Sequence, residues 1–314
     1  MKIPRMILVE GGSFDMSSNG SANDEKPIHS VTLNNFYIGK YEVTQEQYEK
    51  VMGKNPSSFK DSGKDAPVEQ VNWYDAVEFC NKLSKQEGLQ KCYSVSGDNI
   101  KCDFKANGYR LPTEAEWEFA AKGGNQSKGY TYSGGNSLDE VGWYNDNSRE
   151  KTHSVGGKYP NELRIYDMSG NVWEWCWDMF YVANSENRVV RGGSWYSYAN
   201  LCTVSVRSSN VATYTYGDIG FRLCRNYDET TFQKSLQEPK LEPEISRIFN
   251  AFPLETRIIS SILANGQQIN CLKHERDRAI KMYKQNMKEI NDHIKRLEKW
   301  RTDTFMKYVN KEEK

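Results

Sequence analysis

The chain has 314 residues, enough for two domains, or for one large domain carrying an appendage. Its 42 Lys and Arg balance its 42 Asp and Glu, and that zero net charge excludes a nucleic-acid binder's basic footprint. No run approaches the ~18 apolar residues of a membrane-spanning helix.

Met1 to Val9 is too short and too soon broken by Pro4 and Arg5 for a secretory leader. The expectation is a soluble protein that stays in the cytoplasm, or one at the cell surface where a leader has been trimmed. The seven cysteines show no zinc-like spacing, so they read as reduced, packed thiols. In an oxidising compartment Cys92 and Cys102, which flank a turn at Ser96 to Asn99, are the candidate disulfide.

In chain order, Met6 to Phe14 reads as a strand ending in a Gly turn, and Val31 to Ile38 as another with alternating apolar residues. Thr44 and Gln47 have capping-box spacing and predict a helix that Gly53 ends. Asn72 and Asp75 open a second helix, with Ala76, Val77, Cys80 and Leu83 on one face and Gly88 as terminator. Thr113 and Glu116 open a third behind Pro112. Short capped helices with strands before and after them indicate an α+β domain over residues 1–226.

From Gly123 to Asn161 loops dominate, and such long coil needs anchors. Trp143, Trp173, Trp175, Trp177 and Trp195 are the candidates. After Asn226 the sequence changes character. Residues 227–314 read as a helical extension whose seam of Ile280, Tyr283, Met287, Ile290, Ile294 and Leu297 suits self-association, a partner protein or packing on its own shorter helices.

Between Trp195 and Ile219, 13 of 23 residues are Tyr, Ser, Thr or Asn, and neither Lys nor Glu occurs. That mixture resembles an antibody combining site: tyrosines give broad contact at small rotamer cost, and hydroxyls and amides give adaptable hydrogen bonds. A solvated polar loop is the bland alternative. Asp167 to Trp175, Arg191 to Trp195 and Ile219 to Arg222 enclose this insert as clamps.

Residues 6–225 resemble the formylglycine-generating enzyme family. The resemblance rests on Met6 to Phe14, Tyr41-Glu-Val-Thr44, Val71-Asn-Trp73, Tyr109 to Trp117, Gly170-Asn-Val-Trp-Glu-Trp175, Arg191-Gly-Gly-Ser194 and Gly220-Phe-Arg222. It implies a C-type lectin-like fold, and it implies copper bound by two cysteines after Arg-Gly-Gly-Ser in the oxidases. Here those positions are Ser197 and Cys202, so the soft pair is broken and no copper is expected. Iron-dependent relatives use histidines, whereas His29, His153, His274 and His293 stand isolated. The resemblance also implies a structural calcium ion held by the Asp167 carboxylate, the Gly170 and Val172 carbonyls and the Glu174 carboxylate.

One subgroup of the fold, the variable proteins of diversity-generating retroelements, fits the insert better than the oxidases do. That resemblance implies a fixed frame of Trp195, Ala199, Cys202, Arg207 and Ile219 to Arg222. The diversified positions would be Tyr196, Ser197, Tyr198, Asn200, Leu201, Ser208, Ser209, Asn210, Val211, Thr213, Tyr214, Tyr216, Gly217 and Asp218. In such proteins the variable segment commonly ends the chain, whereas here residues 219–314 follow it. The expectation is therefore a non-catalytic protein binding a protein or glycan ligand through this face. A formylglycine-generating oxidase with an altered metal site is the rival.

Overall fold

A computed structural model of the chain describes residues 4–17, 28–97, 99–180 and 187–227. The expected first strand divides into β1 (Met6–Val9) and β2 (Gly12–Met16), and the second into β3 (His29–Leu33) and β4 (Phe36–Gly39). Close backbone approach explains the break near Gly11, where a Cβ would lie 2.3 Å from the Leu33 carbonyl oxygen. No side chain fits there, so β1 leaves the β2–β3 hairpin and pairs with β4 instead.

The helices form where their caps predict. In α1 (Gln45–Met52) Thr44 Oγ1 accepts from the Gln47 amide while Gln47 Oε1 accepts from the Thr44 amide, and Gly53 closes the helix at φ 78°. The reciprocal pair Asn72 and Asp75 opens α2 (Trp73–Gln86). Thr113 and Glu116 open α3 (Glu114–Ala121), and Glu116 also takes two 2.6 Å hydrogen bonds from the buried Arg110 guanidinium. The hairpin β5 (Tyr93–Ser96) and β6 (Asn99–Cys102) follows α2. Its flanking Cys92 and Cys102 are free thiols, not the disulfide that their position allowed.

Two four-stranded sheets organise the rest. The first runs β1-β4-β12-β7, with β7 at Tyr109–Arg110 and β12 at Cys224–Asn226, so the strand after the insert returns to lie between β4 and β7. The second runs β10-β9-β8-β11, with β8 at Trp173–Met179, β9 at Asn187–Arg191, β10 at Arg207–Val211 and β11 at Ile219–Gly220. The pair β8 and β11 is parallel, and the other pairs of this sheet are antiparallel. This is the α+β, C-type lectin-like architecture that the motifs imply.

One buried cluster centres on Tyr48, Trp73, Phe79, Trp175 and Phe221, and another on Phe36, Trp117 and Phe119. Each such ring contributes about 1.5–3 kcal/mol relative to exposure. Trp175 donates from Nε1 to the Val71 carbonyl at 3.0 Å, and Trp73 from Nε1 to Cys176 at 2.9 Å, tying β8 to α2. The loop region from 123 to 161 contains a 3-10 turn at Gly124–Gln126 and one short α-helix that its sequence pattern does not announce, α4 (Leu138–Val141). The expected helical extension and its seam lie outside the described residues.

Candidate functional site

The insert is held by its backbone. Arg191, 0% exposed at the end of β9, donates to the carbonyls of Ser205 and Val206 at 2.8 Å and of Val204 at 3.0 Å. Its charge is met by Glu118, 1% exposed on α3. Further along, the Trp73 amide at the start of α2 donates to the Ala212 carbonyl, and the Gln70 amide to the Tyr216 carbonyl. Trp195 is anchored by its amide to the Asn171 carbonyl and by Nε1 to the Gly217 carbonyl at 3.0 Å. All of these bonds use main-chain oxygens that every amino acid carries, so side chains here can change without losing the frame.

Outward from that frame stand Tyr196 and Tyr198, 66% and 67% exposed, with Tyr214 at 54% and Tyr216 and Leu201 at 39%. These values mark an aromatic patch that water covers rather than protein. Asn200 and Thr213 are exposed beside it, and Ser208, Ser209, Asn210 and Val211 are half-buried along β10. Gly217 is half-buried as well.

Two of the positions expected to vary turn toward Ser194 of the frame. Ser197 is 6% exposed, and its Oγ accepts from the Ser194 amide at 3.0 Å and lies 3.1 Å from Ser194 Oγ. Asp218 turns inward, where Oδ2 accepts from Ser194 Oγ at 3.1 Å, and burial pushes its carboxyl up. The reason is local. After Gly192 and Gly193, both at positive φ, the chain doubles back so tightly that the next turn closes on Ser194.

The same turn places the position matching the first copper ligand. A hydroxyl stands there, at Ser197, and Cys202 is 0% exposed in a small cluster with Leu138, Val141 and Tyr144, its Sγ 3.7 Å from the Tyr198 carbonyl. Burial pushes the Cys202 thiol up to about 12, so at neutral pH it is a packed S–H and not a thiolate. His153 stacks on Trp143 with ring centroids 3.9 Å apart and hydrogen-bonds the Ser148 carbonyl, which occupies it structurally.

Of the two carboxylates in the expected calcium set, that of Glu174 already has protein partners. Glu174 accepts from Arg222 Nε and Nη2 at 2.6 Å and from Trp117 Nε1 at 2.7 Å, so its carboxylate is spent on a buried guanidinium. Gly170 fits by packing, since a Cβ would lie 2.2 Å from the Trp143 carbonyl oxygen, and the Val172 amide donates to Glu42. Asp167 Oδ2 accepts from the Gly156 amide while Oδ1 has no hydrogen-bond partner. Among the described residues no three His, Cys, Asp or Glu side chains are grouped to hold a metal ion. Arg222 is the positive charge that Glu174 meets.

Three residues beside the face carry no signal in the insert itself. Phe59 packs edge-on against Trp195 at 5.1 Å, Gln70 holds φ 59° beneath Tyr216, and Glu69 is 0% exposed behind Gly217. They come from the loops before α2, over a hundred residues away in sequence, so only folding brings them here.

Comparison with known proteins agrees with this geometry. The description of a sulfatase-modifying factor enzyme 1-like domain matches residues 1–227. The chain is similar to the chaperone protein LppX of Paenibacillus barcinonensis, 44% identical over 256 residues that cover 70% of this chain and 89% of that protein. Among solved structures, variable protein 1 of Treponema denticola superposes with a TM-score of 0.65 at 36% identity, covering 71% of this chain and 95% of that one. At 28% identity the chain is also similar to the formylglycine-generating enzyme of Streptomyces coelicolor, over 72% of this chain and 90% of that protein. At 26% it is similar to the inactive Cα-formylglycine-generating enzyme 2 of Bos taurus, over 69% of this chain and 86% of that protein.

Proposed function

We propose that this chain, which belongs to the sulfatase-modifying factor family, is a non-catalytic binding protein displaying a diversified face on a lectin-type frame. The observation that carries the reading is the attachment of the insert through the carbonyls of Val204, Ser205, Val206, Ala212, Tyr216 and Gly217. A frame that grips the insert at these points by its main chain leaves the outward side chains free to differ from copy to copy. The similarity to a solved protein named as variable supports that use of the fold, and the similarity to one named a chaperone supports binding over chemistry.

Tyr196, Tyr198, Asn200, Leu201, Thr213, Tyr214 and Tyr216 are the contact residues in this reading, with Ser208, Ser209, Asn210 and Val211 flanking them and Gly217 at the margin. The partner is a protein, whose mixed polar and apolar surface suits tyrosines set among hydroxyls and amides. Among the described residues no helix is long and apolar enough to cross a membrane.

The rival is an oxidase with an altered metal site, which the retained Cys202 favours. Against it stand the hydroxyl at Ser197 and the high affinity of the Cys202 thiol for its proton. Sibling copies of the gene test the proposal: variation should be confined to the outward positions between 196 and 217. Turnover of a sulfatase-derived cysteine peptide that disappears on Cys202→Ala would overturn it.

A further inference from the structure

We infer that the loop 145–150 is the constant part of the same binding surface, with Arg149 placed to take a carboxylate of the protein partner whichever side chains the insert displays. The inference rests on the binding role proposed above and names the charge chemistry that the unvarying rim of the face selects.

The insert offers about a dozen outward or half-buried positions, whereas a standard protein interface uses about 20–30 residues on each side. Fixed residues beside the insert must therefore supply much of the contact. The loop 145–150 is joined to the insert at two points. The Asn145 amide donates to the Ser197 carbonyl at 3.0 Å, and Ser148 Oγ donates to the Trp195 carbonyl at 2.8 Å. Those two carbonyls bracket the exposed Tyr196, and Arg149 stands one residue beyond Ser148.

The backbone of this loop is strained where its charges are. Arg149 and Glu150 hold φ 56° and 58°, a left-handed conformation that glycine adopts freely and that a long side chain resists. Four of the seven non-glycine residues at positive φ adjoin the insert: besides these two, the Gln70 amide donates to the Tyr216 carbonyl and the Asn171 carbonyl accepts from the Trp195 amide. Such strain gathers at functional sites, and here two glycines would remove it from the loop, so the side chains are what the fold gives up stability to keep. The turn is held stiff from behind. Ser148 is 0% exposed, its carbonyl accepts from His153 Nε2 at 2.6 Å, and the Tyr144 carbonyl accepts from the Asn147 and Ser148 amides.

Arg149 and Glu150 are exposed, and among the described residues neither belongs to an ion pair or a side-chain hydrogen bond. Their neighbours are engaged: Lys151 reaches Asp61 at 3.7 Å, and Lys158 lies over the Trp143 ring while donating to the Asp139 carbonyl. A guanidinium takes a carboxylate through two parallel hydrogen bonds, and arginine is among the residues that dominate protein interfaces. Glu150 and the exposed Asp146 repel a surface that is acidic throughout. The partner that fits is a protein presenting a carboxylate among neutral or basic groups.

The test uses the full chain and single-domain antibody fragments selected on it from a display library, keeping those whose binding Tyr196→Ser abolishes. A second set is selected on the full chain carrying Tyr196→Asn, Tyr198→Ser and Tyr214→Asn, keeping those that do not bind the wild type. Arg149→Gly should weaken most fragments of both sets about tenfold or more, with the melting temperature unchanged or raised. That loss should shrink at high salt, and it should vanish when one Asp or Glu of the fragment is changed to its amide. Should glycine loosen the loop, Arg149→Gln decides alone, since it keeps the stem and removes the charge.

Indifference of both sets to the Arg149 variants, a loss confined to the first set, or a loss that ignores salt and couples to no carboxylate would overturn the inference. In each of those cases the fragments still need the tyrosines, so the binding role stands without this rim. Sibling copies identical throughout 196–217 would remove the role itself.

Discussion

Arg191 and Glu118 form an ion pair with both partners at most 1% exposed, and the arginine's Nη1 and Nη2 also donate to three consecutive carbonyls of the insert. One side chain therefore joins the helix α3 to the base of the insert. Removing it takes the donor from Glu118 Oε2, whose other oxygen keeps Lys122 and the Ser17 amide, and leaves three carbonyls without this donor. Arg191→Ala should lose about 3–5 kcal/mol of stability, read by urea unfolding. A loss no larger than that of an exposed substitution would show that the insert is held by something else.

The outward tyrosines should behave in the opposite way. Tyr196→Ser, Tyr198→Ser and Tyr214→Ser remove rings that are more than half exposed, so each should change stability within ~0.5 kcal/mol. For a protein ligand selected against the face, at least one of the three should cost about tenfold in affinity. Large stability losses would mean that these rings pack against something and are not on display.

Copper binding should be recoverable by one substitution. The wild-type chain should not bind Cu(I) tightly, because a hydroxyl and a buried thiol make a poor soft site. Ser197→Cys sets a second sulfur in the Arg191-Gly-Gly-Ser194 turn beside Cys202, and competition with a Cu(I) chelator should then reveal a site. Tight binding by the wild type would favour the oxidase.

Asp218 predicts a pH effect of definite sign. Its carboxyl is raised in the folded state by burial, against the Ser194 hydroxyl that lowers it. The folded chain therefore holds this proton more firmly than the unfolded one, so the group's contribution is complete below the ordinary carboxylate pKa of about 4 and is lost as pH rises through the raised value. Asp218→Asn should melt closer to its acid value at neutral pH than the wild type does. A wild-type to mutant difference that stays flat from acid to neutral pH would contradict the assignment.

Calcium is expected to matter little, because Arg222 already neutralises Glu174. Dialysis against a chelator should leave the melting temperature unchanged. A chelator-sensitive melt that Asp167→Ala abolishes would restore an ion to Asp167.

Much of this fold is legible in order. The caps at Thr44, Asn72 and Thr113 act within a few residues, and local hydrogen bonds need no tertiary context to be recognised. The break at Gly11 is not legible, because it depends on where the Leu33 carbonyl lies. For the same reason composition marks the insert as a contact surface but does not sort its positions.

By itself the sequence determined the α+β class, the capped helices, the place of the insert between its clamps and the serine at position 197. Those are matters of residue type and near spacing. Only the tertiary structure decided that Ser197 and Asp218 face inward, that Glu174 answers Arg222, and that Phe59 and Glu69 stand beside Gly217. The first depends on how tightly the chain turns after Gly193 and the other two on segments far apart in the chain; burial, unlike capping, is a property of what the rest of the molecule places alongside.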